Sequence, residues 1–366
     1  MTTEITTARF HDGETLRGPS RVVIDDGIIV SADAYDGPTQ HSLVAPGLFD
    51  LQMNGYDSVD VSNCSREEFI RLDRQLLAKG TTGWLATIVT APLDRLSLSL
   101  QNLHDVISST DTGCRGIHIE GPFLGGAPGA HNPRWIIDYE PEWLRGLPDS
   151  VRLVTLAPER PGTPAAVRTL REKGVAVSIG HSKATHVEFD AAVEAGAAMV
   201  THLFNGMSGV HHRSDGVALS ALTDERVVAG MIGDAVHVSP TAMKLAFAAK
   251  GARGVCLVSD SIAWGSRWAQ KLGVEVRDGA PRLPDGTLAG SSATLADCLR
   301  NVVNLAGVTP ADAVMSATFV PSVLVGFPQT SKVTVGGPAE LVCFDDHFHV
   351  TEVHRRLVSL RGQQTD

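Results

Sequence analysis

Between Leu48 and Asp260 the chain alternates short β-branched or apolar runs with longer stretches of helical periodicity. This alternation is typical of βα units repeated around a parallel sheet, and eight strand segments can be counted. The strands are predicted at Leu48–Asn54, Trp84–Val89, Arg115–Glu120, Arg152–Leu156, Val175–Gly180, Ala198–His202, Val228–Gly233 and Val255–Ser259. Eight such units favour an α/β fold built as a (β/α)8, TIM-like barrel.

The two ends of the chain lack this alternation. RVVIDDGIIV near the start and KVTVGGPAELVCFDDHFHV near the end are strand-like, with turn residues and no helical pattern between them. We expect both ends to pair in one small β-sandwich domain formed by residues 1–45 and 335–366. The barrel would then occupy residues 46–334.

Composition excludes several classes of partner. The chain has 31 basic and 41 acidic side chains, a formal net charge of −10, which argues against a polyanion-binding surface and therefore against nucleic acid. A local basic pocket for one phosphate is compatible with this balance. No uncharged apolar run is long enough to span a membrane, and the first residues have neither a basic leader nor an apolar core. We therefore expect a cytoplasmic protein with no membrane partner.

Polar side chains stand at or just after the carboxyl ends of the predicted strands. They are Gln52, Asn54, Glu120, His181, His202, Asp234 and Asp260. Barrels of this type build their active sites at that face, from the ends of several strands. The sequence therefore predicts an active site there.

One carboxylate and two imidazoles in that set have the chemistry of a catalytic metal site. Singly, Glu120 could pair with an arginine or lysine, and His181 or His202 could be a hydrogen-bonded core histidine. Together at equivalent strand ends they favour ligation, because three protein ligands leave the fourth tetrahedral position open for water. The ligand set favours zinc, with iron or manganese as alternatives.

Asp260 directly follows the eighth predicted strand. A carboxylate in this place can accept a proton from activated water and return it to a leaving group. The structural alternative is a helix N-cap for the segment that follows. The catalytic interpretation predicts a metal-activated hydrolase.

Six segments, in this order, resemble a known family. They are Ala45-Pro46-Gly47-Leu48-Phe49-Asp50-Leu51-Gln52-Met53-Asn54-Gly55, His118-Ile119-Glu120-Gly121-Pro122-Phe123, Gly129-Ala130-His131, Gly180-His181-Ser182, Thr201-His202-Leu203-Phe204-Asn205-Gly206-Met207 and Leu288-Ala289-Gly290-Ser291. The ordered set, which spans nearly the whole chain, resembles the N-acetylglucosamine-6-phosphate deacetylases of the amidohydrolase superfamily. The resemblance implies hydrolysis of N-acetyl-D-glucosamine 6-phosphate to glucosamine 6-phosphate and acetate.

The resemblance also implies roles for individual residues. Gln52-x-Asn54 stands where many amidohydrolases have His-x-His, so it implies one divalent ion per chain, held by Glu120, His181 and His202. Asp260 is implied as the acid and base, and His131 as the group that orients or polarises the acetyl carbonyl. The implied substrate contacts are Gln52, Asn54, Ala130, His131, Asn205, Gly206, Arg213, Asp234, His237, Leu288, Ala289 and Gly290.

Among these contacts, Arg213 and His237 match the family's phosphate ligands, which arrive across the interface of a homodimer, and Asp234 matches a residue of the sugar site. Taken without the resemblance, the turn of His211, His212 and Arg213 is a solvated basic turn.

Two other functions stay open. The same machinery could deacylate a different N-acyl sugar or an N-acyl amino acid, since Tyr56, Gly233 and the segment Trp264–Trp268 depart from the family's usual pattern. The chain could also be an inactive regulator that binds a sugar phosphate. The presence of all three metal-ligand candidates and Asp260 disfavours the regulator, which has no physical need for them.

Overall fold

The computed structural model describes residues 2–356 and 358–361. Its strands are β1 (Thr2–His11), β2 (Leu16–Arg17), β3 (Ser20–Asp25), β4 (Ile28–Ala34), β5 (His41–Pro46), β6 (Leu48–Met53), β7 (Gly55–Tyr56), β8 (Val59–Asp60), β9 (Thr81–Val89), β10 (Cys114–Glu120), β11 (Val151–Leu156), β12 (Ala176–Ile179), β13 (Met199–Val200), β14 (Val228–Ile232), β15 (Val255–Val258), β16 (Glu275–Arg277), β17 (Ala280–Arg282), β18 (Glu340–Phe344), β19 (Val350–Arg355) and β20 (Val358–Arg361). Its helices are α1 (Arg66–Ala78), α2 (Leu93–Ser109), α3 (Pro141–Arg145), α4 (Thr163–Glu172), α5 (His186–Glu194), α6 (Val217–Thr223), α7 (Pro240–Lys250), α8 (Arg267–Lys271), α9 (Leu295–Asn304), α10 (Pro310–Ala317) and α11 (Phe319–Leu324).

Eight parallel strands form the central sheet, in the order β6-β9-β10-β11-β12-β13-β14-β15. Each overlaps one of the predicted strands, so the predicted barrel is confirmed. The first and last strands meet through a parallel bridge between Met53 and Ser261, and the backbone N–H of Asn54 donates to Ser261 O at 2.9 Å. At the same junction of the first and last strands, the buried Asp50 accepts the backbone N–H of Ser259 at 3.3 Å. Because all eight strands are parallel and the sheet closes on itself, their carboxyl ends lie on one face of the barrel.

The helices pack on the outside of the barrel through apolar stripes. In α1 the buried residues Phe69, Leu72 and Leu76 follow the i, i+3, i+7 spacing of one helix face. The helix begins with a capping box in which Ser65 and Glu68 each satisfy the other's backbone N–H. Within the described residues, no helix combines the length and the apolar character that crossing a membrane requires.

The terminal strands form a second, mixed sheet in the order β20-β19-β18-β5-β1-β3-β4, with β2 attached to β1. Strand β5 pairs antiparallel with β18, which places Val44 opposite Cys343. The prediction that both ends of the chain pair in one small β domain is therefore confirmed. Apolar side chains such as Phe10, Val22 and Leu341 fill its core. The limits of the two domains stay a prediction.

A buried ion pair joins the small sheet to the barrel. Arg355 of β19 donates from its two terminal nitrogens to Asp73 of α1, at 2.9 and 2.6 Å. The same carboxylate accepts the indole N–H of Trp84 at 3.0 Å and the backbone N–H of Gly113 at 2.7 Å. Four donors therefore satisfy a carboxylate on a residue that is only 2% exposed.

We expect Asp73→Ala to lower the free energy of unfolding by about 3–5 kcal/mol, because it leaves a buried guanidinium without its partner. Asp111→Ala is the matched control, since Asp111 pairs with Arg356 at an exposed site and its loss should cost less than about 1 kcal/mol. Chemical denaturation of both variants measures the difference. Equal losses would mean that the buried pair does not hold the junction.

Candidate active site

Four side chains predicted from the sequence meet at the carboxyl end of the barrel. Glu120 is the last residue of β10, and the other three lie two residues beyond the ends of β12, β13 and β15. Those three, His181, His202 and Asp260, have φ angles of 51°, 30° and 49°. Non-glycine residues are strained in this left-handed region, and such strain concentrates at functional sites. The backbone itself therefore marks this face as a functional site.

Glu120, His181 and His202 present three donor atoms to one point. Glu120 Oε1 lies 3.1 Å from His181 Nε2 and 3.0 Å from His202 Nε2, and the two nitrogens are 3.1 Å apart. Metal–ligand bonds of about 2.0–2.1 Å place tetrahedral ligands roughly 3.3–3.4 Å apart. The three atoms therefore lie close to the corners that one metal ion needs. When protonated at Nε2, the imidazoles of His181 and His202 donate to Glu120 and hold the pKa of its carboxyl well below its usual range, although burial alone would raise it.

Main-chain carbonyls set the tautomers of both imidazoles. His181 Nδ1 lies 3.1 Å from the carbonyl oxygen of Ala127, and His202 Nδ1 lies 3.1 Å from that of Asn205. A carbonyl can only accept, so Nδ1 carries the proton in each neutral ring. The Nε2 lone pairs therefore face Glu120, as metal ligation requires.

Gly206 packs against both rings. Its φ is 57°, and a Cβ atom there would lie 2.8 Å from His181 Nδ1 and 3.4 Å from His202 Cε1. Only glycine fits this position without moving an imidazole. Its predicted contact with substrate stays a prediction, as does that of Asn205, whose side-chain amide donates to Leu203 O at 3.3 Å.

The amides of Gln52 and Asn54 face the two carboxylates. Gln52 Nε2 donates to both oxygens of Glu120 at 3.2 Å. Asn54 Nδ2 donates to Asp260 Oδ1 at 2.9 Å. Both side chains thus hold carboxylates in place, and their predicted contacts with substrate are not tested by these hydrogen bonds.

Asp260 is half-buried at the mouth of the barrel. Burial, reinforced by the negative charge of Glu120, raises the pKa of Asp260 to about 7. No helix begins at this residue: the next helix along the chain is α8, and Ser266 caps it. The N-cap alternative is therefore not what the carboxylate does in this structure.

His131 completes the cluster from the loop that follows β10. Its Nε2 lies 3.1 Å from His181 Nε2, and its Nδ1 lies 2.9 Å from the hydroxyl of Thr90. Donor atoms of Glu120, His131 and His181 all lie within 4.8 Å of one another, so His131 is also close enough to be an alternative ligand. Burial, with the neighbouring His181, lowers the pKa of His131 to about 3, so the ring is neutral.

A layer of hydrogen bonds inside the barrel supports the site from below. His118 Nδ1 donates to Leu51 O at 3.1 Å, so its Nε2 accepts the hydroxyl of Thr155 at 2.8 Å. Thr155 in turn contacts Thr201 at 2.7 Å, and Thr201 contacts Ser178 at 2.6 Å. Burial lowers the pKa of His118 to about 4, which keeps it neutral. The layer ties β10, β11, β12 and the end of β13 together under the metal-ligand candidates.

Sequence reasoning missed Glu159, which follows β11. Its Oε1 accepts the backbone N–H groups of Gly126 at 2.9 Å and Lys183 at 2.8 Å. Its Oε2 accepts the hydroxyl of Ser182 at 2.6 Å. Glu159 therefore joins the loops that follow β10, β11 and β12, including the loop that carries His131.

Asp234 and His237 form a pair at the end of β14. Asp234 Oδ2 accepts from His237 Nδ1 at 2.6 Å, and Oδ1 accepts the backbone N–H groups of Val236 and His237 at 2.9 and 2.8 Å. His237 also lies close enough to Asp260 to lower its pKa, against the stronger effect of burial. The pair thus places an imidazole beside the site.

The remaining predicted contacts lie at different distances from this centre. Ala130 precedes His131 on an exposed stretch. Gly290 lies beside Asp260, since a Cβ atom there would be 3.1 Å from Asp260 O, and Leu288 and Ala289 precede it. Arg213 lies on an exposed turn and contacts His211 through its backbone N–H at 3.2 Å. Among the described residues, no hydrogen bond links Arg213 to a metal-ligand candidate.

Comparison with known proteins agrees with this geometry. The model of the Amidohydrolase family matches residues 43–361. The chain is 31% identical over 346 residues to the N-acetylgalactosamine-6-phosphate deacetylase of Escherichia coli O157:H7, with 90% of this chain and 92% of that protein covered. It is 33% identical over 333 residues to the N-acetylglucosamine-6-phosphate deacetylase of Bos taurus, with 84% and 81% covered.

Solved structures extend the likeness to three dimensions. The N-acetyl-D-glucosamine-6-phosphate deacetylase of Mycobacterium smegmatis, as a mutant in complex with N-acetyl-D-glucosamine-6-phosphate, matches with a TM-score of 0.88 and 29% identity over 98% of this chain and 99% of that one. The Thermotoga maritima deacetylase of the same name matches with a TM-score of 0.89 and 27% identity over 98% and 100%. The predicted family is thereby confirmed. The chain belongs to the amidohydrolase family of enzymes, among its N-acetylated amino sugar 6-phosphate deacetylases.

Proposed function

We propose that the protein hydrolyses the acetamide of N-acetyl-D-glucosamine 6-phosphate to glucosamine 6-phosphate and acetate, using one divalent metal ion. The observation that carries the proposal is the triangle of donor atoms from Glu120, His181 and His202, with the carboxylate of Asp260 at the same barrel face. The activities named for the relatives support this choice of substrate.

The donor set fits a single divalent ion. One carboxylate oxygen and two unprotonated imidazole nitrogens suit zinc, with iron or manganese as alternatives. Amides stand where a second site would need imidazoles, and the amide nitrogens of Gln52 and Asn54 are directed at carboxylates. When bound, the ion supplies polarisation of the acyl carbonyl and a lowered pKa for water.

Asp260 is the proposed acid and base. Its raised pKa, about 7, lets it take up a proton near neutral pH and pass it to the departing amine nitrogen. Asn54 fixes the carboxylate by its hydrogen bond to Oδ1. The fold thus supplies a proton carrier whose orientation does not depend on the substrate.

His131 is the proposed partner of the acetyl carbonyl. Its Nε2 faces the edge of the donor triangle, 3.1 Å from His181 Nε2, where an acyl oxygen would approach. Such a donor stabilises the negative charge that develops on that oxygen during attack. The remaining proposed substrate contacts are Gln52, Asn54, Ala130, Asn205, Gly206, Asp234, Leu288, Ala289 and Gly290.

Arg213 and His237 are the proposed phosphate ligands, contributed across the interface of a homodimer. The support within this chain is the exposure of Arg213, which leaves its guanidinium available to a second copy, and the hydrogen bond by which Asp234 orients His237. The cytoplasmic location likewise stays a prediction.

For Arg213→Ala we expect kcat/KM on the phosphorylated sugar to fall by at least an order of magnitude, because a charge-assisted contact of roughly 1.5–3 kcal/mol is lost. Activity on unphosphorylated N-acetylglucosamine should change little. Arg168→Ala, on the exposed face of α4, is the control that removes an arginine outside the site. Equal losses on both sugars would show that Arg213 does not recognise phosphate.

The dimer is tested by mixing inactive subunits. If Arg213 acts across the interface, mixed dimers of Asp260→Asn and Arg213→Ala chains contain some sites with both groups intact, so partial activity on the phosphorylated sugar should return. Verified mixed dimers without recovery would place Arg213 in the site of its own subunit.

The main competing function is deacetylation of the galactosamine epimer. It has a specific basis, because the relatives from Escherichia coli and Shewanella are named N-acetylgalactosamine-6-phosphate deacetylases, the latter at 34% identity. The complete donor set disfavours an inactive regulator.

The deciding experiment measures acetate and free amine released from four sugars: the two N-acetylated epimers, each with and without the 6-phosphate. We expect equimolar products and the highest kcat/KM for N-acetyl-D-glucosamine 6-phosphate. A higher value for the galactosamine epimer would transfer the assignment to it. Absence of acetate from all four, in metal-loaded protein, would overturn the proposed reaction.

A further inference from the structure

Thr90 is a buried hydroxyl that the proposed chemistry leaves unused. It directly follows β9 and is 4% exposed. Its Oγ1 lies 2.9 Å from His131 Nδ1 and 3.2 Å from the carbonyl oxygen of Glu120. One hydroxyl therefore contacts the proposed carbonyl-polarising ring and the main chain of a proposed metal ligand.

The neighbouring backbone is shaped around this hydroxyl. A Cβ atom at Gly121 would lie 2.2 Å from Thr90 Oγ1, and the φ of Gly121 is 86°. Glycine at this position therefore gives the hydroxyl its place between β9 and the loop carrying His131. The contact is specific, because a larger residue at position 121 would displace it.

The direction of the hydrogen bond between Thr90 and His131 determines which ring nitrogen of His131 carries the proton. A hydroxyl has one proton, which it can give either to Glu120 O or to His131 Nδ1. When it donates to Nδ1, the single proton of the neutral ring resides on Nε2, which faces the site as a donor. When it donates to Glu120 O, Nδ1 donates to the hydroxyl, and Nε2 faces the site as a lone pair. The first arrangement is favoured because His181 Nε2 is unprotonated, so His131 Nε2, 3.1 Å away, must donate to it. The contact of Thr90 with His131 Nδ1, at 2.9 Å, is also shorter than its contact with Glu120 O, at 3.2 Å. Polarising a carbonyl requires this arrangement.

We propose that Thr90 is a positioning residue for His131: its hydroxyl holds Nδ1 and presents Nε2–H to the acyl oxygen of the substrate. The inference rests on the proposed function, because it deepens the role of His131 in that reaction. Thr90 does not touch the reacting atoms and acts through the imidazole.

The first test compares Thr90→Val with Thr90→Ser on N-acetyl-D-glucosamine 6-phosphate. Valine has the shape of threonine without the hydroxyl, so kcat should fall about 10- to 100-fold, the usual effect of losing a partner of an active-site histidine, with little change in KM or metal content. Serine should restore most of kcat. Thr223→Val, which removes an exposed hydroxyl that also donates to a backbone carbonyl, should behave as the unmodified protein. Unchanged kcat in Thr90→Val would overturn the proposal.

A double-mutant cycle separates positioning from a merely structural role. If Thr90 acts through His131, then Thr90→Val should have almost no further effect on kcat in a His131→Ala background. If Thr90→Val lowered kcat by the same factor in both backgrounds, Thr90 would act through the main chain of Glu120, which contradicts the proposal.

A spectroscopic measurement keeps this test independent of the proposed function. In zinc-loaded protein, the 15N resonances of the His131 ring, assigned by their loss in His131→Ala, should shift in Thr90→Val and return in Thr90→Ser. Unshifted resonances would overturn the Thr90 contact. If the unmodified protein released no acetate, the proposed function would be wrong, but the resonances would still show whether the Thr90 hydroxyl contacts the His131 ring.

Discussion

Replacing His181 or His202 by alanine is expected to remove the metal ion and the activity together. Each variant deletes one corner of a triangle whose donor atoms lie 3.0–3.1 Å apart. The lost polarisation of carbonyl and water is worth several kcal/mol, so kcat/KM should fall by about a thousandfold or more. Elemental analysis after dialysis, with acetate release on the same sample, measures both quantities.

The control for these variants is His104→Ala. His104 lies on α2 and contacts Ser150 at 3.1 Å, away from the barrel mouth. This variant should keep its metal and its activity. If either His181→Ala or His202→Ala retained a full equivalent of tightly held metal, that histidine would not be a ligand, and His131 would be the next candidate, because its donor atom is already within 4.8 Å of those of Glu120 and His181.

Asp260→Asn is expected to lower kcat by about 10²- to 10⁴-fold while metal content and fold are kept. Asparagine has nearly the shape of aspartate and can still accept the hydrogen bond from Asn54, but it cannot carry a proton. Product formation in a stopped-flow or endpoint acetate assay measures the loss, and elemental analysis verifies the metal.

Asp285→Asn provides the comparison, since Asp285 lies in an exposed turn and accepts the backbone N–H of Thr287. It should leave kcat unchanged. Near-normal turnover of Asp260→Asn with its metal retained would rule out Asp260 as the proton carrier and would direct attention to another group at the same face.

Much of the site could be predicted from one rule, that polar residues at strand ends of a barrel converge. Glu120, His181, His202 and Asp260 all follow it, and their chemistry is recognisable by residue type alone. Thr90 follows the same rule directly after β9, but a hydroxyl is neither a common metal ligand nor an acid or base at neutral pH, so sequence reasoning passes over it.

Other features could not be predicted because they depend on main-chain geometry. The tautomers of His181 and His202 are set by carbonyl groups of Ala127 and Asn205, and a carbonyl belongs to every residue. The left-handed φ of His181 could not be predicted from residue type, because histidine, unlike glycine, is found mostly in the right-handed and extended regions.

The proposed phosphate contact of Arg213 could not be predicted from the fold of a single chain. The resemblance assigns it to phosphate, whereas the residue alone predicts a solvated basic turn, and the structure has it exposed. A residue that completes the site of a second copy has no partner to meet within its own chain. The activity and mixing experiments, rather than the fold of one chain, therefore test the role of Arg213.

The most direct test of the account is a zinc titration of metal-free protein, with acetate release from N-acetyl-D-glucosamine 6-phosphate followed at each addition. We predict no release without metal, a linear rise in rate, and a plateau at one zinc ion per chain, because Glu120, His181 and His202 form one site and the amides of Gln52 and Asn54 do not form a second. A plateau reached only at two ions per chain, or release of acetate by metal-free protein at the full rate, would contradict it.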